Sequence, residues 1–234
     1  EEYLGRALKK NIARDKVVIA SKVYFNEGRL SRPAIMREID GTLNRLGTDY
    51  LDLYIIHRFD FETPIEETME ALHDLVKAGK VRAIGASAMY GYQFYNMQLA
   101  AKEHGWTRFS TMENHYNLLY REDERELIPI CKQMNVSLMP YSPLAAGHLT
   151  RPQWNTDTLR SKTDRVAMGK YDKMEECDMK IVNRVHELSQ KYNCKMSQIA
   201  IAWQWAKGIA SPIIGATKAS YLDDAVGAFD VKLT

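Results

Sequence analysis

Short apolar segments alternate with helix-like segments along almost the whole chain, and this alternation limits the folds open to it. Helical periodicity follows each apolar segment, which predicts right-handed βαβ units around a parallel sheet. The unalternating runs VVIA and LYII are typical of strands buried on both faces. The six predicted strand segments are KVVIASKV (16–23), YLDLYIIH (50–57), VRAIGAS (81–87), RFSTMENHY (108–116), VSLMPYSPL (136–144) and PIIGAT (212–217).

Two architectures remain possible on this pattern alone, a doubly wound sheet and a (β/α)8 barrel. No GxGxxG motif follows any of the predicted strands, and this weighs against a Rossmann nucleotide-binding domain. The strand pattern by itself does not decide further between the two architectures.

The composition is ordinary for a soluble globular protein, since 45% of the 234 residues are hydrophobic and 26% are charged. The 32 basic and 30 acidic residues are well mixed, so nucleic-acid binding has little support. No apolar run approaches the length of a membrane span. Cys131, Cys177 and Cys194 show neither CxxC spacing nor a disulfide framework, which favours a reduced, cytoplasmic setting. No pattern in the sequence indicates an oligomeric state.

Polar residues end all six predicted strands. The carboxyl ends of parallel strands form one face of an α/β fold, and active sites lie on that face. We therefore expect these side chains to share one functional rim. They are Ser21 and Lys22, His57, Ser87, Glu113 and Asn114, Tyr141 and Ser142, and Thr217 and Lys218.

His57 stands at the end of a buried strand, where a histidine is a satisfied core residue, a metal ligand or an acid/base group. A metal site has poor support, because the histidines form no HxxxH or HExxH pattern and no cysteine falls at ligand spacing. A serine nucleophile would lack its GxSxG turn. We interpret His57 as a hydrogen-bond donor or proton-transfer group beside a cation, with a satisfied strand-end histidine as the alternative.

Several segments, in this order, resemble the aldo-keto reductase superfamily: ASKV, LGTDYLDLYIIHR, TPIEETMEALHDLVKAGKVRAIGAS, YNLLYR, YSPLAAGHLTR, and PIIGATK followed by YLDDA. The resemblance covers essentially the whole chain and is strongest to the bacterial long-loop group related to potassium-channel β-subunits. It implies one (β/α)8 TIM barrel domain over residues 1–234, of which strands 3 to 8 are visible. It also implies that the barrel binds NADP(H) across its C-terminal rim and reduces carbonyls.

The catalytic set of the family is Asp, Tyr, Lys and His, and the resemblance assigns Lys22 and His57 to the lysine and histidine positions. In the implied reaction, hydride from the nicotinamide adds to the carbonyl carbon while a tyrosine hydroxyl protonates the oxygen. A free phenol is a weak acid at neutral pH, and the Lys22 ammonium would lower its pKa. His57 would donate a hydrogen bond to the carbonyl oxygen.

The resemblance also implies a set of cofactor contacts. Ser87 and Asn114 match the positions that hold the nicotinamide carboxamide, and Tyr141 matches the aromatic residue on which the nicotinamide stacks. Family members often have Gln where this chain has Asn114, and many have Asn where it has Ala88. The implied phosphate and adenosine contacts are Ser142, Leu144 and Gly147, Arg160 and Ser161 of the long loop, and Gly215, Thr217, Lys218, Tyr221 and Asp224.

The chain also departs from the family pattern, because the Asp and Tyr of the catalytic set fall upstream of residue 1. The segment EEYLGRALKK is predicted to be helical from its first residues. We expect two βα units and part of the C-terminal tail to be absent, and residues 1–234 alone to be inactive in carbonyl reduction. Two other functions stay open: a cofactor-binding regulatory subunit without significant turnover, and a barrel lyase with Lys22 as its Schiff-base lysine.

Overall fold

The structure is a computed structural model that describes residues 1–154, 163–171 and 175–234, without the side chains of residues 166 and 175. Arg160 and Ser161, which the sequence places in the long loop, lie outside the described residues.

The chain forms two compact units. The first unit comprises Glu1–Glu113 and Glu126–Ser137, and the second comprises Asn114–Arg125 and Leu138–Thr234.

Helices and strands alternate through the first unit, as the sequence predicts. In chain order they are α1 (Glu2–Asn11), β1 (Ala20–Val23), α2 (Arg32–Leu46), β2 (Leu51–Ile56), α3 (Ile65–Lys77), β3 (Val81–Ser87), α4 (Gly91–Glu103), β4 (Thr111–Glu113), α5 (Leu127–Gln133) and β5 (Ser137–Leu138), of which β5 ends one residue into the second unit.

Within the described ranges the sheet has five strands, in the order β1-β2-β3-β4-β5. The pairs β1–β2, β2–β3 and β3–β4 are parallel, and their register sets Lys22 opposite Ile55 and Ser87 opposite Glu113. A doubly wound sheet reverses its strand order at a switch point, and this sheet does not. The predicted parallel α/β sheet is confirmed, and its sequential order is consistent with part of a (β/α)8 barrel.

The second strand is the buried centre of the first unit. Tyr54, Ile55 and Ile56 are at most 1% exposed, which confirms the burial predicted for the run LYII. The same prediction for VVIA is wrong, because Val18 is 81% exposed and Ile19 alone in that run is buried. The physical reason is position: the run enters the sheet only at its last residue, and β1 is the edge strand.

Local sequence explains where α2 begins and ends. Pro33 lies in the first turn, where its missing N–H costs no helical hydrogen bond. Gly47 follows the helix in the left-handed conformation, with φ of 66°, and its N–H bonds to the Asn44 carbonyl. This tight ending returns the chain directly to β2, whose carboxyl end delivers His57.

The second unit is built mainly from helices α6 (Arg165–Tyr171), α7 (Glu175–Lys191), α8 (Met196–Ala206) and α9 (Ala219–Val226). Its core includes Leu149, Val182, Val185 and Ile199. None of the described helices has the length and apolarity needed to cross a membrane.

The sixth predicted strand, PIIGAT, is an irregular segment over residues 212–217. The Ile213 N–H does donate to the Pro140 carbonyl at 2.9 Å. A longer ladder is not made because Pro212 and Pro140 have no N–H to contribute.

Candidate active site

Lys22 forms an ion pair with Glu113 at the carboxyl edge of the sheet in the first unit. The Lys22 Nζ atom lies 3.0 Å from Glu113 Oε2, with the lysine side chain 31% exposed and the glutamate side chain 8% exposed. Glu113 Oε2 has no hydrogen-bond partner among the described residues, so the contact is an attraction between charges without hydrogen-bond geometry. Such an attraction is stronger at this partly buried edge than in water.

His57 directly follows β2, and its backbone N–H donates to the Val23 carbonyl at 2.9 Å. Its ring meets the edge of Phe25, with the ring centroids 5.0 Å apart. Burial, together with the positive charges of Lys22 and Arg58, lowers the pKa of His57 below its ordinary value of 6.5. The imidazole is therefore neutral at pH 7, with one N–H to donate and one nitrogen to accept.

Ser87 ends β3 and is 1% exposed. Its hydroxyl donates to the Glu113 carbonyl at 2.7 Å, and the backbone N–H of Ala88 donates to the same oxygen at 3.3 Å. The hydroxyl hydrogen is thus used in holding β3 to β4. The lone pairs of the Ser87 oxygen stay available to accept a hydrogen bond from a ligand.

Asn114 lies in the second unit and is also 1% exposed. Its Nδ2 donates to Asp123 Oδ2 at 2.9 Å, whereas its Oδ1 is buried without a hydrogen-bond partner among the described residues. The orientation of the amide follows from its neighbour, because an ionised carboxylate can only accept. Asn114 therefore offers a buried acceptor to a ligand that brings an N–H.

Tyr141 belongs to an aromatic stack in the second unit. The ring of His115 lies between those of Tyr141 and Tyr120, with centroid separations of 5.1 Å and 4.2 Å and nearly parallel planes. The Lys170 ammonium lies 4.7 Å from the Tyr141 ring centroid. Stacking on His115 fixes the tilt of Tyr141 and covers one face of its ring.

His115 is held by hydrogen bonds as well as by stacking. Its Nε2 lies 2.6 Å from the Tyr171 hydroxyl oxygen, to which Asn117 Nδ2 also donates at 3.1 Å. Burial, with the charge of Lys170, lowers the pKa of His115 to about 4. In this arrangement the Tyr171 hydroxyl accepts from Asn117 and donates to Nε2, which assigns the proton of the neutral imidazole to Nδ1.

The loop over residues 142–147 has an unusual backbone. Ser142, Ala145 and Ala146 all have positive φ, at 57°, 48° and 55°, and Gly147 follows at 103°. Non-glycine residues rarely adopt this conformation, and such strain is retained mainly at functional sites. The N–H of Leu144 makes no hydrogen bond within the described part of the chain, so it is free to meet a ligand oxygen.

This loop lines a cleft of about 810 Å³ that lies wholly within the second unit. Its volume is within the range of small-molecule and cofactor sites. The predicted cofactor residues that the cleft brings together are Tyr141, Ser142, Leu144, Gly147, Gly215, Thr217, Tyr221 and Asp224.

Two charged residues at the α9 end of the second unit differ in their placement. Lys218 does not line the cleft: it is exposed at the start of α9, with its ammonium 5.9 Å from the Tyr221 ring centroid. Asp224 does line it, and its Oδ1 is paired with Lys195 Nζ at 2.5 Å. Lys195 itself lines the cleft, so a basic side chain that the sequence did not single out is present there.

Sequence reasoning missed His115 as a member of the site, and it placed Glu113 on the rim without giving it a role. Both lie in the segment STMENHY, where polar residues follow one another and the pattern does not say which side chains face inward. Among the described residues, no group of three His, Cys, Asp or Glu side chains is arranged to hold a metal ion.

The chain belongs to the aldo/keto reductase family, which it matches over residues 1–234. It is 42% identical to the versiconal hemiacetal acetate reductase of Aspergillus parasiticus, over all of this chain and 75% of that protein. An aldo-keto reductase of Fusarium vanettenii is 46% identical, over all of this chain and 71% of the relative. A Schizosaccharomyces pombe protein provisionally named an aryl-alcohol dehydrogenase is 41% identical, over all of this chain and 74% of the relative.

The family and the names of these relatives support oxidoreductase activity for the chain. The three relatives are fungal proteins. The assignment to the bacterial long-loop branch stays a prediction.

Proposed function

We propose that this protein is an NADPH-dependent oxidoreductase that reduces aldehydes or ketones to alcohols, and oxidises alcohols in reverse. The observation that carries the proposal is the pairing of a cation and a neutral imidazole on adjacent strand ends. Lys22 lies on β1 and His57 follows β2, and the β1–β2 ladder continues to the His57 N–H. These are the two side chains that the family resemblance assigns to catalysis.

Each of these residues has a distinct task in carbonyl reduction. The cofactor, when bound, supplies the hydride. The neutral His57 donates its N–H to the carbonyl oxygen, which orients the substrate and stabilises the negative charge that develops there. The Lys22 ammonium favours the phenolate form of the proton donor and so makes that phenol a stronger acid near neutral pH.

The proton donor itself is a tyrosine that the resemblance places upstream of residue 1. Tyr24 lies two residues beyond Lys22, but its phenol lies near the Phe25 ring and the Arg29 guanidinium, and nothing in these contacts suggests proton transfer. We therefore expect a polypeptide limited to residues 1–234 to lack carbonyl reductase activity.

The residues present fit a nicotinamide dinucleotide, and this supports the choice of cofactor. The buried and unpartnered Oδ1 of Asn114 suits the N–H donors of a carboxamide. In the cleft of the second unit, the N–H of Leu144, unbonded within the described part of the chain, suits a phosphate oxygen, and Tyr141 lines the same cleft. Lys218 and Lys195 are the cations proposed for the 2′-phosphate end.

The substrate class is proposed from chemistry and from the relatives. A hydride acceptor that is hydrogen-bonded by His57 must carry a carbonyl oxygen. The relatives are named for an aryl alcohol and for a hemiacetal acetate, so an aromatic aldehyde is the first substrate to test.

The test is a turnover assay of the full-length protein with NADPH and a set of substituted benzaldehydes, followed by loss of the reduced-nicotinamide absorbance. We expect turnover in the wild type, and a loss of about a hundredfold or more in Lys22→Met and His57→Ala with NADPH still bound. Lys102→Met, an exposed lysine on α4, is the matched control and should retain activity.

Two outcomes would replace this proposal. NADPH binding without turnover by any carbonyl compound would point to a regulatory subunit. Trapping of a carbonyl compound on Lys22 by borohydride would point to a Schiff-base lyase. The Glu113 carboxylate argues against the latter, because a Schiff-base lysine must react as a free amine and this carboxylate stabilises a charged ammonium.

A further inference from the structure

Glu113 supplies a counter-charge to the lysine proposed for catalysis. Its side chain is 8% exposed, and Lys22 Nζ lies 3.0 Å from Oε2. Among the described residues, Lys22 is the basic side chain that pairs with this carboxylate, and Oε2 has no hydrogen bond in addition. A buried carboxylate without a cation is strongly disfavoured, so the Lys22 ammonium and the Glu113 carboxylate stabilise one another.

The strand register explains why these two side chains meet. Glu113 is the last residue of β4 and pairs with Ser87 of β3, while Lys22 on β1 pairs with Ile55 of β2. Their backbones are thus separated by two strands, and both side chains extend over the carboxyl edge of the sheet. The backbone carbonyl of Glu113 is fixed by the Ser87 hydroxyl and the Ala88 N–H, so the residue has little freedom to move away.

A negative charge beside Lys22 reduces the positive potential that the ammonium exerts on nearby groups. Among the described residues of the first unit, Lys22 also acts electrostatically on His57, and Arg58 acts on His57 as well. His57 and Arg58 both follow β2. His57 is neutral at pH 7, so among the described residues Glu113 is the group that offsets the Lys22 charge.

We propose that Glu113 is a positioning residue that holds the Lys22 ammonium in place and limits the field by which Lys22 acidifies the proton donor. This proposal rests on the proposed reductase function. It assigns to Glu113 a role in the pH range over which reduction proceeds, because reduction needs the donor phenol in its protonated form.

The variants that test this role differ in charge and shape. Glu113→Gln keeps the shape and removes the charge, whereas Glu113→Asp keeps the charge and shortens the side chain. Glu103→Gln, an exposed glutamate at the end of α4, is the control. All three are made in the full-length protein, and thermal unfolding checks that they fold.

The first measurement is the pH profile of kcat with NADPH and a benzaldehyde. In Glu113→Gln the uncompensated Lys22 lowers the pKa of the donor phenol, so the alkaline limb should move down by roughly one pH unit. Glu113→Asp should restore the wild-type limb at a lower kcat, and Glu103→Gln should leave it unchanged. An unmoved alkaline limb in Glu113→Gln, or a loss confined to NADPH affinity, overturns the proposal.

The second measurement does not need turnover. The rate of acylation of Lys22 by an amine-reactive ester, read by peptide mass spectrometry, should rise severalfold in Glu113→Gln, since an unpaired amine reacts more readily. An unchanged labelling rate overturns the pairing itself. Faster labelling in a protein whose wild type shows no NADPH-dependent turnover would instead refute only the reductase function.

Discussion

Lys22 and Glu113 place opposite charges 3.0 Å apart, although two whole strands of the sheet lie between the strands that carry them. The relationship depends on side chains that extend over the carboxyl ends of parallel strands, where the backbone no longer separates them. His57 and Ser87 end the two intervening strands at the same edge. A cation, its counter-ion, a neutral imidazole and a hydroxyl therefore share one edge of the first unit.

The hydrophobic contact of Phe25 with His57 should affect the acid side of the pH profile. Burial is the largest cause of the lowered pKa of His57, and the exposed Phe25 ring covers one side of the imidazole. Phe25→Ala admits water and should move the acid limb of kcat/KM to higher pH, towards the ordinary value of about 6.5. The control is Phe61→Ala, which removes another exposed phenylalanine ring, one in edge-to-face contact with Phe59. A limb that stays in place in Phe25→Ala would show that this ring does not shield His57.

Asn114 should have separable effects on stability and on cofactor affinity. Asn114→Asp keeps an acceptor oxygen but sets a second carboxylate against Asp123, so the free energy of unfolding at pH 7 should fall by about 2 kcal/mol. Asn114→Ala, unlike Asn114→Asp, removes the acceptor oxygen, so the Kd of this variant for NADPH should rise roughly tenfold. Urea unfolding and fluorescence titration measure the two effects. Equal NADPH affinity in Asn114→Ala and the wild type would contradict the proposed contact.

His115 should make the protein less stable as the pH falls from 7 to 5. Its pKa is about 4 in the folded state and near 6.5 when unfolded, so the unfolded state binds more protons between these values. This contribution to stability is present above the unfolded pKa and is lost as the pH falls towards the folded one, by roughly 2 kcal/mol between pH 7 and pH 5. In urea unfolding at the two pH values, His115→Phe should lose less stability than the wild type. The variant His186→Gln should behave as the wild type does.

Asp60 should be among the most costly acidic residues to remove. Its carboxylate is 4% exposed and accepts hydrogen bonds from the Leu30 N–H, the Glu62 N–H and the Thr63 hydroxyl. Burial alone would raise the pKa of Asp60, but these donors hold it below its ordinary value.

Asp60→Ala leaves these donors without their buried partner, so the free energy of unfolding should fall by about 2 to 4 kcal/mol at pH 7. The contribution is present above the unfolded pKa near 3.9 and is lost as the pH falls through the lower folded pKa. Asp15→Ala removes an exposed aspartate and should change stability by less than about 0.5 kcal/mol. Similar thermal melts for the two variants would contradict the role given to Asp60.

Two buried tyrosines should respond in opposite ways to loss of the hydroxyl. Tyr54 is fully buried and its hydroxyl has no hydrogen-bond partner among the described residues, so Tyr54→Phe should be neutral or stabilising by about 1 kcal/mol. The Tyr116 hydroxyl donates to Glu124 Oε1 at 2.5 Å, so Tyr116→Phe should destabilise by about 1 to 2 kcal/mol. Thermal unfolding of both variants measures these changes in stability. A clear loss of stability in Tyr54→Phe would reveal a partner for that hydroxyl.

The sequence predicted the strands correctly where the signal was strong. The run LYII lacks alternation because β2 is covered on both faces, and its length and β-branched residues leave little choice of structure. The same prediction, burial on both faces, was wrong for VVIA, because the burial of a strand depends on where it lies in the sheet. The prediction that PIIGAT forms a strand was also wrong, because proline lacks the N–H groups that a strand needs.

The sequence by itself determined the family, the parallel α/β class and the strand ends that carry Lys22, His57 and Ser87. Periodicity indicates the class and the strand ends, and the order of the motifs indicates the family. Only the tertiary structure decided that Glu113 pairs with Lys22, while Asn114 is bonded to Asp123. Glu113 ends β4 and Asn114 follows it directly, so a shift of one position changes which side chain faces the site. That choice depends on strand pairing between residues far apart in the chain, which no local pattern records.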